Sequence, residues 1–98
     1  MLLVAIEFHV AAADRSRFVE IADALADPTR EEHGCRFFEF WSDLRETGLF
    51  LAYEGWESPA DLEAHRTTPH VAAFREAAAE IDARVVGANY YTATETTV

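Results

Sequence analysis

The sequence predicts an α+β fold: one split βαβ domain with a four-stranded antiparallel sheet and helices on one of its faces. Three observations predict it. Four stretches rich in β-branched and aromatic residues alternate with stretches whose apolar residues recur at helical spacing, in the order β-α-β-β-α-β. The second and third strands are joined only by a short polar turn, Asp43 to Gly48, which makes them an antiparallel hairpin. The chain has 98 residues, half of them apolar, enough for one core and too few for two.

The first strand is Leu2 to Val10, with Leu2, Val4, Ile6, Phe8 and Val10 on one face and Leu3, Ala5, Glu7 and His9 on the other. Asp14 is placed to cap a helix whose apolar stripe is Phe18, Ile21, Ala22 and Leu25. Pro28 is expected to interrupt that helix. Thr29-Arg30-Glu31-Glu32 then reads as a capping box that opens one further turn, closed by Gly34. Cys35 to Ser42 and Leu49 to Glu57 are the hairpin strands. Ser58, followed by Pro59 and Asp61, starts a second helix. Thr68-Pro69 repeats the start signal for a second piece, whose buried stripe is Val71, Phe74, Ala78 and Ile81. Arg84 to Thr92 is the last strand, and residues 93–98 read as a loose tail of a single 1–98 domain. This is the ferredoxin-like arrangement.

A sheet with helices on one side leaves its other face wet, and that face should be polar. Here Val4, Ile6, Phe8, Phe37, Trp41, Leu49, Leu51, Tyr53, Val85 and Tyr91 alternate with a second set of apolar residues. Both faces therefore need cover. With one layer of helix available, a second copy of the same sheet supplies it most simply, so a homodimer is expected.

The formal net charge is −10, and all eight basic residues are arginine. Such a chain is repelled by phosphate backbones and anionic lipid, which argues against nucleic acid and membrane as partners. Cys35 is the one cysteine, so neither an internal disulfide nor a cysteine metal site is expected. No apolar run approaches the roughly 20 residues of a membrane span, and the apolar start lacks a basic leader. The expected location is the cytoplasm.

Residues Leu51 to Phe74 gather the candidate chemistry. Glu54 and Trp56 share a strand face with Phe50 and Ala52, so a carboxylate lies among aromatic rings and needs a partner. An imidazole would serve, or Arg36 or Arg84 from neighbouring strands. His65 follows Leu62 by three residues and looks inward; His70 precedes Phe74 by four, in the first turn of its helix. The dipole at that end favours a neutral imidazole, which is able to accept a proton as a general base. Each histidine also reads as a hydrogen-bonded core residue, Glu54 as an anchor for arginine, and Trp56 as core packing. Two histidines with Glu54 raise a metal site, but their spacing lacks the tight helical patterns that mark one, and no metal is expected. Phosphate-cradling glycine loops and a nucleophile elbow are absent. Pocket size rests on how Phe38, Phe40, Leu62 and Phe74 pack.

T-R-E-E-H-G-C (Thr29 to Cys35), F-E-F-W (Phe38 to Trp41), Y-E-G-W-E-S (Tyr53 to Ser58) and A-H-R-T-T-P-H-V-A-A-F (Ala64 to Phe74) resemble the antibiotic biosynthesis monooxygenase domain, from Val4 to about Tyr91. The resemblance implies a dimeric α+β barrel with a pocket between sheet and helices. It also implies oxidation of a small aromatic quinol or anthrone by O2, without metal, flavin or haem. On that reading His65 or His70 is the base and Glu54 orients it. Trp56 and Phe74 hold the ring, and Tyr90 hydrogen-bonds a substrate oxygen. A haem-degrading branch carries a histidine where this chain has Phe74-Arg75-Glu76, which argues against haem. An isomerase branch acts on a small phosphorylated dione and needs a phosphate grip; only Arg66 and Arg75 are near. A binding dimer that turns nothing over is the remaining alternative.

Overall fold

In a computed structural model describing residues 1–98, the elements are β1 (Leu2–Val10), α1 (Arg15–Arg30), β2 (Cys35–Ser42), β3 (Leu49–Trp56), α2 (Pro59–Arg66), α3 (Pro69–Ala79) and β4 (Ala83–Thr92). The strand order is β2-β3-β1-β4 with every neighbouring pair antiparallel, the ferredoxin-like topology. No helix is long and apolar enough to cross a membrane.

Two details of α1 differ from the sequence reading. Pro28 lies inside the helix, which runs on to Arg30, and no new helix starts at Thr29. Proline costs one ladder bond there, but Ile21, Ala22, Leu25, Ala26 and Thr29 form one buried stripe through it. Thr29 is fully buried, and its hydroxyl donates to the Leu25 carbonyl at 2.7 Å, filling the polar demand of that turn instead of capping a new one. At the other end Asp14 is the N-cap residue but makes no capping bond. Its carboxylate accepts from the Asp82 N–H at 3.0 Å and so ties the start of α1 to the start of β4.

The starts of α2 and α3 are as expected. Ser58 Oγ accepts from the Asp61 N–H at 3.3 Å, and Thr68 Oγ1 accepts from the Val71 N–H at 3.3 Å, each with proline at the first helical position. Gly34, with φ of 81°, turns the chain from α1 into β2. A Cβ there would collide with the Asp61 side chain. Both features demand glycine.

One face of the sheet packs on the helices through two clusters. The first joins Val4, Leu25, Ala26, Phe38, Trp56, Leu62 and Val71; the second is built around Phe8, Phe18 and Phe50. The phenylalanines meet edge to face or tilted, with Phe18 4.8 Å from Phe50 and 6.0 Å from Phe74. The opposite face carries Leu3, Ala5, Phe37, Trp41, Leu51, Tyr53 and Tyr91. Trp41 is 59% exposed and Tyr91 51%, so this apolar face lies open in the single chain. Beyond β4, Ala93 still pairs with Met1 through two backbone bonds, and residues 94–98 have no regular structure.

Candidate functional site

Strand register builds the site. Tyr90, Val4, Glu54 and Phe38 form one row across β4, β1, β3 and β2, on the helix side of the sheet. The next rows toward the other end bring Ile6, Ala52 and Phe40, then Phe8, to the same side. Between these strands and α1 and α3 lies a cavity of about 200 Å³. Phe38, Phe40, Phe8 and Phe74 are among its walls, and its only polar liners are Glu54 and Arg75.

Glu54 is 4% exposed. Its partner is neither an imidazole nor Arg36 nor Arg84. The Trp56 indole N–H donates to Glu54 Oε1 at 3.0 Å, from two residues further along the same strand face. Arg36 pairs with Glu57, and Arg84 with Asp82. Burial pushes the Glu54 carboxyl up to about 6; the nearby charge of Glu32 acts in the same direction, while the Trp56 bond and Arg66 oppose it. A carboxyl so tuned changes protonation close to neutral pH, as a general base does.

The two histidines do not reach Glu54. His65 Nδ1 and His70 Nε2 both lie 2.7 Å from one oxygen, Oε2 of Glu32. A carboxylate oxygen accepts, so in these contacts the facing ring nitrogens are the donors. In the neutral rings this leaves His65 Nε2 and His70 Nδ1 as the acceptors. His65 is 6% exposed, and burial lowers its basicity while the Glu32 contact partly restores it. Its ring lies 4.8 Å from that of Trp56 and 5.6 Å from that of Phe38. A chain of contacts therefore runs from Glu32 through His65 and Trp56 to Glu54. Neither histidine lines the cavity. His70 instead borders a solvent-open groove between α1 and α3.

Trp56 and Leu62 pack in the core behind the cavity wall. Tyr90 is 48% exposed, and its hydroxyl accepts from Arg66 Nη2 at 3.1 Å; it is not a cavity liner either. The structure thus gathers Glu54, Phe38, Phe40 and Phe74 at the cavity and sets His65, His70, Trp56, Leu62 and Tyr90 around it. Glu32, which the sequence reading placed in a helix cap and not at the site, is the residue on which both histidines converge. Cys35 lies half-buried nearby, and burial raises its thiol to about 11, which keeps it protonated and a poor nucleophile.

The match to the model of the antibiotic biosynthesis monooxygenase family covers residues 1–77, which hold every cavity liner except Val85. An uncharacterised protein of Synechocystis sp., sll1783, is 28% identical over 95 residues, 97% of this chain and 65% of that protein. This chain therefore spans under two thirds of that relative's length. The "Putative monooxygenase Rv0793" of Mycobacterium tuberculosis is 32% identical over 72 residues, 74% of this chain and 70% of that one. A crystal structure described as a "putative antibiotic biosynthesis monooxygenase", from Deinococcus radiodurans, superposes with a TM-score of 0.91 at 22% identity, over 100% of this chain and 97% of that one.

Proposed function

From the premise that this chain belongs to the antibiotic biosynthesis monooxygenase family, we propose that it is a monooxygenase for a small aromatic quinol, with Glu54 as the base. One observation carries this reading: a buried carboxyl with its pKa raised to about 6 faces an apolar, aromatic-walled cavity. The cavity, about 200 Å³, is smaller than a typical drug-sized pocket and suits one ring better than the three fused rings of an anthrone.

In this mechanism the quinol ring lies among Phe38, Phe40 and Phe74, and Glu54 takes a phenolic proton. The electron-rich anion is itself the reductant. O2 delivers one oxygen atom to the ring and leaves the other as water, so a hydroquinone plus O2 gives a hydroxyquinone plus H2O, with both electron pairs supplied by the substrate. The protein removes the proton and holds the anion beside Arg75. His65 acts as a positioning residue: its ring braces Trp56, and the Trp56 N–H fixes the Glu54 carboxylate. A second copy covers the open sheet face in the working homodimer, for which the exposure of Trp41 and Tyr91 is the supporting observation.

Oxygen uptake with a panel of one-ring, two-ring and three-ring hydroquinones and anthrones tests this. Turnover is expected with the smaller quinols, and Glu54→Gln should lower kcat/KM by about 10²-fold or more. Substitution of His65 by alanine should cost less than that. Saturable binding of a quinol without oxygen uptake would instead make the protein a binding module.

A further inference from the structure

We propose that Glu32, His65 and His70 form a binding site for one divalent transition cation of the zinc class, at the joint of α1, α2 and α3. The ligand atoms of all three residues lie within 4.8 Å of one another, and both imidazole nitrogens aim at the same carboxylate oxygen from 2.7 Å. Two imidazoles and one carboxylate are the donors of a three-ligand zinc site with an open fourth position. An all-oxygen cage would be needed for calcium or magnesium.

The ligands are anchored for this purpose by separate rigid elements. His65 is in the last turn of α2 and His70 in the first turn of α3. Thr68 fixes their spacing: its hydroxyl donates to the His65 carbonyl at 2.8 Å and accepts the Val71 N–H, so the cap of α3 is clamped to the end of α2. Glu32 stands just past α1, where a side-chain rotation adjusts its reach. With the Glu32 side chain rotated outward from its present 2.7 Å contacts, an ion about 2.1 Å from each donor would replace the two N–H hydrogens that face the carboxylate. In a neutral ring the proton then sits on the nitrogen away from the ion. The α1–α3 groove that His70 borders gives a path from solvent to that ligand.

The site is separate from the cavity and does not depend on the monooxygenase reading. It does touch the cavity wall indirectly, because the His65 ring packs tilted against Trp56 and Trp56 holds Glu54. The other histidine–carboxylate pair, His33 with Asp61 at 3.1 Å, has a single imidazole on a largely exposed side chain, and serves as the internal control.

Chelator-treated full-length protein titrated with Zn2+ by calorimetry, and with Co2+ followed by visible absorption, tests the site. One ion per chain is expected, with a Co2+ spectrum of tetrahedral or five-coordinate type and a rise in Tm on Zn2+ addition. Loss of a second-shell partner typically weakens metal binding 10–100-fold, so loss of a ligand in His70→Ala should weaken it by about 100-fold or more. His33→Ala should bind as the parent does. His70 is only partly buried, so this variant remains informative if Glu32→Gln or His65→Ala does not fold. No saturable binding of either ion, undiminished binding in His70→Ala, or loss of binding in His33→Ala would each overturn the proposal.

Discussion

Glu54 is an expensive residue to bury, and its cost has a pH signature. Its carboxyl is raised from the ordinary 4.5 to about 6, so the folded state holds a proton that the unfolded chain releases. Its stabilising contribution is fully present below pH 4.5 and is lost as the pH rises through about 6. By linkage the difference is about 2 kcal/mol at neutral pH. Glu54→Gln should remove this dependence: urea unfolding at pH 4 and pH 7.5 should differ less in the variant than in the parent, by an amount of that order. An equal pH dependence in both would place the titrating group elsewhere. Trp56, Arg66, Arg75, Cys35 and Glu32 are the polar or charged neighbours on the elements around it. Strand alternation alone put Glu54 among Phe50, Ala52 and Trp56. Its partner escaped the sequence reading because cations were sought on other strands, while the donor was the neutral indole on the same face. Glu32 escaped for a different reason. Its contacts to His65 and His70 span 33 and 38 residues of chain, and its local setting reads as a helix cap.

Between elements, caps and turns hold the site together. Thr68 closes α3 and clamps α2, so Thr68→Ala should cost about 1 kcal/mol or somewhat more in chemical denaturation. Gly34 carries a positive φ and has the Asp61 side chain where a Cβ would go. Gly34→Ala should therefore cost about 1–3 kcal/mol, and a neutral result would mean that the turn rearranges freely. These start and stop signals were legible because they are local: Ser58-Pro59, Thr68-Pro69 and Gly34 each declare themselves within four residues. Pro28 declared itself too, and misled. Its local penalty is real, but the buried stripe through Ala22, Leu25, Ala26 and Thr29 outweighs one lost hydrogen bond. The Asp14 cap failed in the same way, since Asp82, 68 residues away, offers its carboxylate a backbone donor.

For the whole molecule, period-2 alternation in the strands and helical spacing between them were enough to give the ferredoxin-like topology, but not which strand residues face the helices: Val4, Ile6 and Phe8 were grouped with Phe37, Trp41, Tyr53 and Tyr91, whereas the register puts the first three against the helices and the others on the open face. The separation of cavity from histidine cluster was not legible, because both draw on one stretch, Leu51 to Phe74, and only the rotation of α2 and α3 over the sheet decides which side each residue meets. The open face with Phe37 stacked on Tyr53 at 4.7 Å and Trp41 and Tyr91 exposed sets one further expectation. Light scattering should give twice the chain mass, and Trp41→Arg with Tyr91→Arg should halve it; a monomeric parent would contradict a second copy on that face. The most direct measurement concerns the base itself: kcat/KM for oxygen uptake on a one-ring hydroquinone, followed from pH 5 to pH 8 after subtraction of uncatalysed oxidation. With Glu54 as base the rate should rise with pH through an inflection near 6, and both rate and inflection should vanish in a folded Glu54→Gln variant. A flat profile, or a variant that keeps its activity and its inflection, would contradict it.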